Sequence, residues 1–154
     1  MEIRAARKDD SGRIHDLHSR SVRELWSGHY TAAQIEGWIA GRTPEGYLPA
    51  VLLGEIFVAE RGSRLVGFGH ARRGSVEAIF VEPEAAGTGV GRALVQRAVL
   101  EARRGHAGPI RLTATLNAVG FYERLGFVPV ERKVVRKGDI ALPVVVMQLP
   151  GESD

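Results

Sequence analysis

The sequence has 154 residues, and its 21 basic and 18 acidic side chains are dispersed along the chain and give a formal net charge of +3. This length predicts a single domain over residues 1–154, and the mixed charges form no basic patch that would indicate a nucleic-acid partner. Cysteine is absent, which excludes disulfides, thiolate metal sites and a cysteine nucleophile and favours a cytoplasmic protein. No apolar run has the length of a membrane span, so no membrane partner is expected.

The first third of the chain predicts one strand and two helices. Residues 2–7 alternate in the manner of a short strand, and residues 9–11 offer N-caps for a first helix. A break at residues 27–30 ends that helix. Thr31 and Gln34 have the capping-box spacing that begins a second helix.

Glycine and proline are frequent in residues 41–49, which we therefore predict to be a loop. His15 and His18 lie one helical turn apart on the first helix. We interpret them as residues of a solvated helix, and no metal site is predicted.

From Glu55 onward the apolar pattern changes to a period of two. It predicts strands over residues 56–59, 65–70 and 76–81, a helix over 90–104, a strand over 110–115, a helix over 117–125, and strands over 127–136 and 141–149. The order β-α-α-β-β-β-α-β-α-β-β indicates an α/β fold, in which a mixed sheet carries helices on both faces. Val144, Val145 and Val146 in the last strand suggest pairing with a second chain, so a homodimer is possible.

The most informative segment runs from Val81 to Arg92, because it joins a strand end to three alternate glycines that open a helix. Glycines let the main chain approach a ligand closely, and the first amides of a helix are unpaired and partly positive. The segment therefore predicts a pocket for a phosphate group.

Two other phosphate-binding motifs fit this segment poorly. The dinucleotide fingerprint needs glycine or alanine where Arg92 stands and an acidic residue at the end of the next strand, but residues 111–115 contain none. A nucleoside-triphosphate loop needs Gly-Lys-Ser/Thr, and no lysine lies between Lys8 and Lys133.

Residues 79–91 resemble the central signature of the GNAT superfamily of N-acetyltransferases: an apolar strand, Val-x-Pro, a loop Gln/Arg-x-x-Gly-x-Gly/Ala, and a helix. Residues 117–127, Asn-Ala-Val-Gly-Phe-Tyr-Glu-Arg-Leu-Gly-Phe, are similar to the second family segment, Asn-x-x-Ala-x-x-Phe-Tyr-x-x-x-Gly-Phe. Ala86 stands at the usual Gln/Arg position, which removes one side-chain contact near the phosphates, and Gly120 stands where alanine is commoner.

The resemblance implies acetyl-CoA as the cofactor, with CoA as a product, and a sheet that splits between the fourth and fifth strands to receive the thioester. It implies that the backbone of Ile79, Phe80 and Val81 binds the pantetheine arm. It also implies that the loop and helix start hold the pyrophosphate, through Ala86, Gly87, Thr88, Gly89, Val90, Gly91 and Arg92.

Two residues of the second segment are candidates for direct contact with the cofactor. Tyr122 matches the tyrosine of the family's Phe-Tyr pair, and a phenol there can donate a proton to the departing thiolate. Its alternative role is packing beside Phe121. Asn117 is expected either to cap the short helix or to contact the cofactor.

Glu77 is the candidate general base. It lies two and four residues before Ile79 and Val81, so strand alternation predicts that all three share one face. Glu77 could remove the proton of the amine, directly or through water, and the alternatives are an exposed strand residue or a ligand for the positive charge of the substrate. His70 is the reserve base.

Aromatic residues surround the break between the first two helices, a region that in the family lines the acceptor pocket. Trp26, His29 and Tyr30 are candidate pocket residues, and Trp38 has the helical spacing of a core residue. We therefore expect transfer of an acetyl group from acetyl-CoA directly to a primary amine of a small molecule or peptide. The alternatives are a CoA-binding or acyl-CoA-binding module without turnover and a protein or peptide N-acyltransferase.

Overall fold

The computed structural model describes residues 1–151 and contains, within them, seven strands and five α-helices. The strands are β1 (Glu2–Ala5), β2 (Ile56–Arg61), β3 (Arg64–Arg72), β4 (Ser75–Val81), β5 (Ile110–Thr115), β6 (Val128–Lys137) and β7 (Ile140–Leu149). The helices are α1 (Ser11–Leu25), α2 (Ala32–Ile39), α3 (Leu48–Leu52), α4 (Val90–Ala102) and α5 (Val119–Arg124). None of these helices is long and apolar enough to cross a membrane.

All seven strands form one sheet in the order β1-β2-β3-β4-β5-β7-β6. Every neighbouring pair is antiparallel except β4 and β5, which run parallel. These two strands pair only at Ser75 with Arg111 and Val76 with Leu112, after which they diverge. The mixed sheet and its split between the fourth and fifth strands are confirmed.

The position of β7 corrects one expectation. This strand lies between β5 and β6, so that Val144 pairs with Thr115 on one side and Lys133 on the other. Val144, Val145 and Val146 are all buried. The prediction that this strand pairs with another chain is therefore wrong, because both of its edges are already hydrogen-bonded within the sheet.

Alternate residues of β2 pack on opposite faces of the sheet. Ile56 and Val58 lie in a buried cluster with Ile14 of α1. Phe57, between them, lies in a second cluster with Leu94 of α4. Helices therefore cover both faces of the sheet, as the order of elements predicted.

The capping box at the start of α2 is confirmed. The amide of Gln34 donates to Oγ1 of Thr31 at 3.1 Å, and the amide of Thr31 donates to Oε1 of Gln34 at 2.8 Å. These two bonds satisfy amides that have no partner inside the helix.

Residues 41–49 were predicted to be a loop, and this prediction is only partly correct. A 3₁₀ turn spans Pro44–Tyr47 and continues directly into α3. Pro44 and Pro49 stand in the first turns of these two elements, where a missing N–H costs no hydrogen bond. Proline here begins a helix, whereas the composition alone suggested that it prevents one.

Candidate active site

A cavity of about 540 Å³ occupies the split between β4 and β5, and we call it the glycine-side cavity. Its walls come from the diverging strands, from the glycine segment before α4, and from the start of α5. Its lining includes Ile79, Val81, Ala86, Gly87, Gly89, Gly91, Arg92, Asn117 and Tyr122. The two segments that carry the family resemblance therefore meet at one site.

The glycine segment turns into α4 through left-handed backbone. Gly87 has φ +78° and Gly89 has φ +92°, values that side-chain-bearing residues rarely adopt, and a Cβ at either position would meet no atom within 4 Å. The amides of Gly87, Gly89 and the first residues of α4 have no acceptor within residues 1–151. They are thus available to an anionic ligand.

Among the residues predicted to bind the pyrophosphate, Thr88 does not fit that role, whereas Val90 can contribute only its amide. The amide and the hydroxyl of Thr88 both donate to the carbonyl of Ala85, at 3.2 and 2.6 Å, so the predicted role of its amide is wrong. The side chain of Val90 is fully buried in the core, although its amide begins α4. Ala86 lines the cavity, but its amide donates to the carbonyl of Pro83 at 3.2 Å.

The edge of β4 that faces the split is free beyond Val76. The amide of Glu82 donates to the carbonyl of Val66 across β3 at 2.9 Å. Because hydrogen-bonded and non-hydrogen-bonded pairs alternate in an antiparallel ladder, Phe80 directs its backbone groups to β3, whereas Ile79 and Val81 direct theirs toward the split. The backbone of Phe80 therefore cannot take the role predicted for it.

Tyr122 lies on α5 and lines the glycine-side cavity, although only 7 % of it is exposed. Its ring contacts those of Phe121 and Phe127, with centroids 5.2 and 5.8 Å apart. Burial raises the pKa of the Tyr122 phenol. The hydroxyl group is therefore a protonated donor at neutral pH.

Asn117 lines the same cavity and does not cap a helix. It lies in a 3₁₀ turn, Leu116–Ala118, and α5 begins after Ala118 without a side-chain cap. Its Oδ1 atom is buried and has no hydrogen-bond partner in residues 1–151. A buried acceptor without a partner is costly, so the geometry favours contact with a ligand over capping.

A second cavity, of about 690 Å³, adjoins the first on the side of α1 and α2, and we call it the aromatic cavity. It is lined by five aromatic side chains, Trp26, Trp38, Tyr47, Phe68 and Phe80, and by the polar side chains of His18, Arg42, His70, Arg72 and Glu77. Six residues line both cavities, namely Trp26, Glu77, Ala78, Phe80, Thr113 and Thr115.

Glu77 lies where the two cavities meet. The β3–β4 register shifts here, because Ala78 pairs with His70 and Val76 pairs with Ala71, which leaves Glu77 as the extra residue of a β-bulge. The bulge interrupts the alternation from which we expected Glu77 to share a face of the sheet with Ile79. Val76, and not Glu77, packs in the same cluster as Ile79, so that expectation is wrong. The Glu77 carboxylate lies 3.8 Å from Arg72.

His70 lines only the aromatic cavity, and Nε2 of its ring lies 2.8 Å from Oε1 of Glu55. Glu55 was not among the predicted site residues. Its neighbour Ile56 pairs with His70 across the β2–β3 hairpin, so the hairpin register was the signal that could have identified it. A histidine oriented by a carboxylate is a competent base, which keeps His70 as the alternative to Glu77.

The residues predicted around the break after α1 separate into three environments. Trp26 is buried but lines both cavities, and His29 is exposed at the glycine-side cavity. Tyr30 lines neither, since its hydroxyl group donates to the carbonyl of Pro143 and accepts from the amide of Leu116. The prediction of Tyr30 as a pocket residue is wrong. Trp38, predicted to be core, is half-buried at the aromatic cavity.

Sequence reasoning also missed one wall of the aromatic cavity. His18, predicted to be solvated, is buried, and its Nδ1 lies 2.7 Å from the hydroxyl oxygen of Tyr47. Burial lowers the pKa of His18 to about 3, and the positive charge of Arg42 contributes in the same direction. The imidazole ring of His18 is therefore neutral near pH 7. In the part of the chain that the structure describes, no group of three His, Asp or Glu side chains is placed to hold a metal ion.

The chain is similar to known proteins over nearly its whole length. It is 29% identical to the peptidyl-lysine N-acetyltransferase YjaB of Escherichia coli K12, over 97% of this chain and 95% of that protein. A GCN5-related N-acetyltransferase from Rhodopseudomonas palustris superposes with a TM-score of 0.89 at 22% identity, over 97% of this chain and 94% of the other. The PaiA N-acetyltransferase of Thermoplasma acidophilum, solved with coenzyme A, has a TM-score of 0.74 at 22% identity, over 97% and 98% of the two chains.

The family comparison agrees with the site geometry. The family model described as "Acetyltransferase (GNAT) domain" matches residues 29–149, a range that includes the glycine segment, the split between β4 and β5, and α5. This chain therefore belongs to the GNAT acetyltransferase family.

Proposed function

We propose that this protein transfers an acetyl group from acetyl-CoA directly to the primary amine of a small molecule or peptide. One observation carries the proposal. The glycine-side cavity, with its free amides, and the aromatic cavity, with its carboxylate, share a wall at Glu77 inside the split sheet. Two reactants can thus enter from opposite sides and meet.

The glycine-side cavity fits the CoA portion of the cofactor. The free amides of Gly87, Gly89 and the first turn of α4 would hold the pyrophosphate, with Arg92 at the same wall. The backbone of Ile79 and Val81 would bind the pantetheine arm, and Oδ1 of Asn117 supplies an acceptor that has no partner in residues 1–151. When bound, the cofactor supplies an activated acetyl thioester.

Two side chains serve as the proton acceptor and the proton donor of the proposed reaction. Glu77 takes the proton of the incoming ammonium group, because the carboxylate lies where the cavities meet, and a neutral amine is the form that attacks a carbonyl carbon. Tyr122 holds a proton at the wall of the glycine-side cavity, where a departing thiolate requires one. His70, held by Glu55, is the alternative base.

The class of acceptor is supported by the Escherichia coli relative, which is a peptidyl-lysine N-acetyltransferase. A lysine side chain and a small primary amine present the same nucleophile. The two differ in what surrounds the amine, which the walls of the aromatic cavity would select.

The test has two stages. The melting temperature is first followed while CoA and acetyl-CoA are titrated, since a ligand of the folded state raises it. Thiol release from acetyl-CoA is then measured with a panel of small amines and lysine peptides. We expect both signals. Binding without thiol release from any amine would identify a non-catalytic CoA-binding module, and the absence of binding would refute the proposal altogether.

A further inference from the structure

We infer that the preferred acceptors are small amines that also carry a carboxylate and an apolar body, and that Arg42 binds the carboxylate. This inference rests on the proposed function. It names the substrate class for the aromatic cavity, and it is carried by Arg42, which pairs with no carboxylate of residues 1–151 although Glu77 lines the same cavity.

Arg42 follows α2, after the left-handed turn at Gly41, and lines the aromatic cavity but not the glycine-side cavity. Its Nε atom is buried without a hydrogen-bond partner in residues 1–151. A buried guanidinium N–H without an acceptor costs free energy, which a ligand oxygen would recover. Arginine is also the side chain best suited to bind a carboxylate through two parallel hydrogen bonds.

The second arginine of the cavity provides a comparison. Arg72 lies 3.7 Å from Glu55 and 3.8 Å from Glu77, so protein carboxylates neutralise its charge. None of the ion pairs formed within 4.0 Å in residues 1–151 includes Arg42. Of the two, only Arg42 has a charge left to pair with a ligand.

The groups that face Arg42 do not offset its charge. His18 is neutral, since burial and then the charge of Arg42 lower its pKa to about 3. Burial, and then Arg42, also lowers the pKa of Lys137, whose Nζ donates to the carbonyl of Trp38 at 2.6 Å. Burial raises the pKa of the Tyr47 phenol, and Arg42 opposes that change. The charge of Arg42 therefore affects three neighbouring groups, and none of the three is a carboxylate.

The remaining lining defines the rest of the ligand. Glu77, the only carboxylate among the cavity residues, lies on the wall shared with the glycine-side cavity. The ammonium group of an acceptor would approach Glu77, its carboxylate would approach Arg42, and its apolar body would contact Trp38, Phe68 and Phe80. A volume of about 690 Å³ lies in the usual range for small-molecule sites and has room for an amino acid with a large side chain.

Matched ligand pairs test this inference. Phenylalanine and phenethylamine, tyrosine and tyramine, tryptophan and tryptamine, and leucine and isoamylamine differ only in the carboxylate. Thiol release gives kcat/KM for each member with the wild-type protein, Arg42→Gln and the exposed control Arg61→Gln. We expect at least one pair in which the wild type favours the carboxylate member by about tenfold or more, because a charge-assisted hydrogen bond supplies that much discrimination.

In the Arg42→Gln variant this preference should disappear, with the KM for acetyl-CoA unchanged, while Arg61→Gln retains it. Equal use of both members by the wild type, or an equal loss for both members in Arg42→Gln, would overturn the inference while leaving the proposed function intact. Faster use of amidated lysine peptides than of every free amino acid would overturn it as well.

A binding readout separates this inference from the proposed function. If no amine releases thiol, the melting temperature of the CoA-bound protein is titrated with the same pairs. Stabilisation by the carboxylate members that is present in the wild type and absent in Arg42→Gln supports the carboxylate site without turnover. No stabilisation by any carboxylate member refutes it.

Discussion

The phenolic oxygen of Tyr30 lies 2.9 Å from the amide nitrogen of Leu116 and accepts its hydrogen bond. The same hydroxyl group donates to the carbonyl of Pro143 on β7 at 2.5 Å. Leu116 immediately precedes Asn117, which lines the glycine-side cavity. A residue outside both cavities thus fixes the end of β5 and the turn that presents a candidate cofactor contact.

Tyr30→Phe should destabilise the fold. The substitution leaves the amide of Leu116 without its acceptor and the carbonyl of Pro143 without its donor, which costs about 1–3 kcal/mol in the free energy of unfolding. Urea unfolding followed by fluorescence measures the change. An unfolding curve identical to the wild type would show that water replaces both bonds.

Tyr122→Phe should lower activity and leave stability nearly unchanged. Turnover measured as thiol release should fall by roughly 100-fold, because the proton donor is lost, while the KM for acetyl-CoA and the free energy of unfolding change little. Tyr30→Phe, which removes a tyrosine hydroxyl group outside the cavities, shows how much turnover is lost through destabilisation alone. Unchanged turnover in Tyr122→Phe would assign Tyr122 to packing beside Phe121 and Phe127.

Glu77→Gln and Glu55→Gln distinguish the two candidate bases. If Glu77 takes the proton, Glu77→Gln should lower kcat by roughly 100-fold, whereas Glu55→Gln should cause a smaller loss through the orientation of His70. Steady-state kinetics with one amine provides the measurement. A larger loss in Glu55→Gln, accompanied by an equal loss in His70→Asn, would transfer the role to His70.

Gly89→Ala tests the anion site. Alanine at a φ of +92° costs about 1–2 kcal/mol of stability and displaces the free amides before α4, so affinity for CoA should fall by about tenfold. Gly62→Ala is the control, because Gly62 also has a positive φ, +62°, but lies in the β2–β3 turn. Both variants should lose stability, and only Gly89→Ala should lose CoA affinity by calorimetric titration. If Gly89→Ala and Gly62→Ala bind CoA equally tightly, the glycine segment is not the anion-binding site.

His18 predicts a dependence of stability on pH. Burial lowers its pKa from 6.5 in the unfolded chain to about 3 in the fold, so between these values the unfolded chain binds the extra proton. Stability should therefore fall as the pH falls from about 6.5 toward 3, by up to about 1.4 kcal/mol per pH unit from this residue.

The substitution His18→Asn keeps a polar side chain near Tyr47, and this side chain does not titrate. Urea unfolding of the wild type and His18→Asn at several pH values between 4 and 6.5 should give a shallower dependence for the variant. Parallel curves would mean that other groups cause the acid sensitivity.

Much of the fold followed from local pattern. The capping box of Thr31 and Gln34 marked the start of α2, and period-two residues marked β2 to β4, because both signals depend on a few neighbouring residues. Residues 44–52 were less predictable, since Pro44 and Pro49 are common both in loops and in the first turn of helices. The order of the last two strands in the sheet had no local signal at all.

Local sequence is sufficient to predict the glycine segment, the strand before it and the helix after it, because left-handed turns and free helix amides are local properties of Gly87, Gly89 and α4. The roles of the side chains around that segment depend instead on contacts between distant parts of the folded chain. Long-range contacts place the extra residue of β4 at Glu77, turn Tyr30 away from the cavities, and leave Arg42 with no carboxylate partner in residues 1–151. Each of these depends on which distant segment lies opposite, and strand register and the pairing of charges across the fold are set by long-range packing.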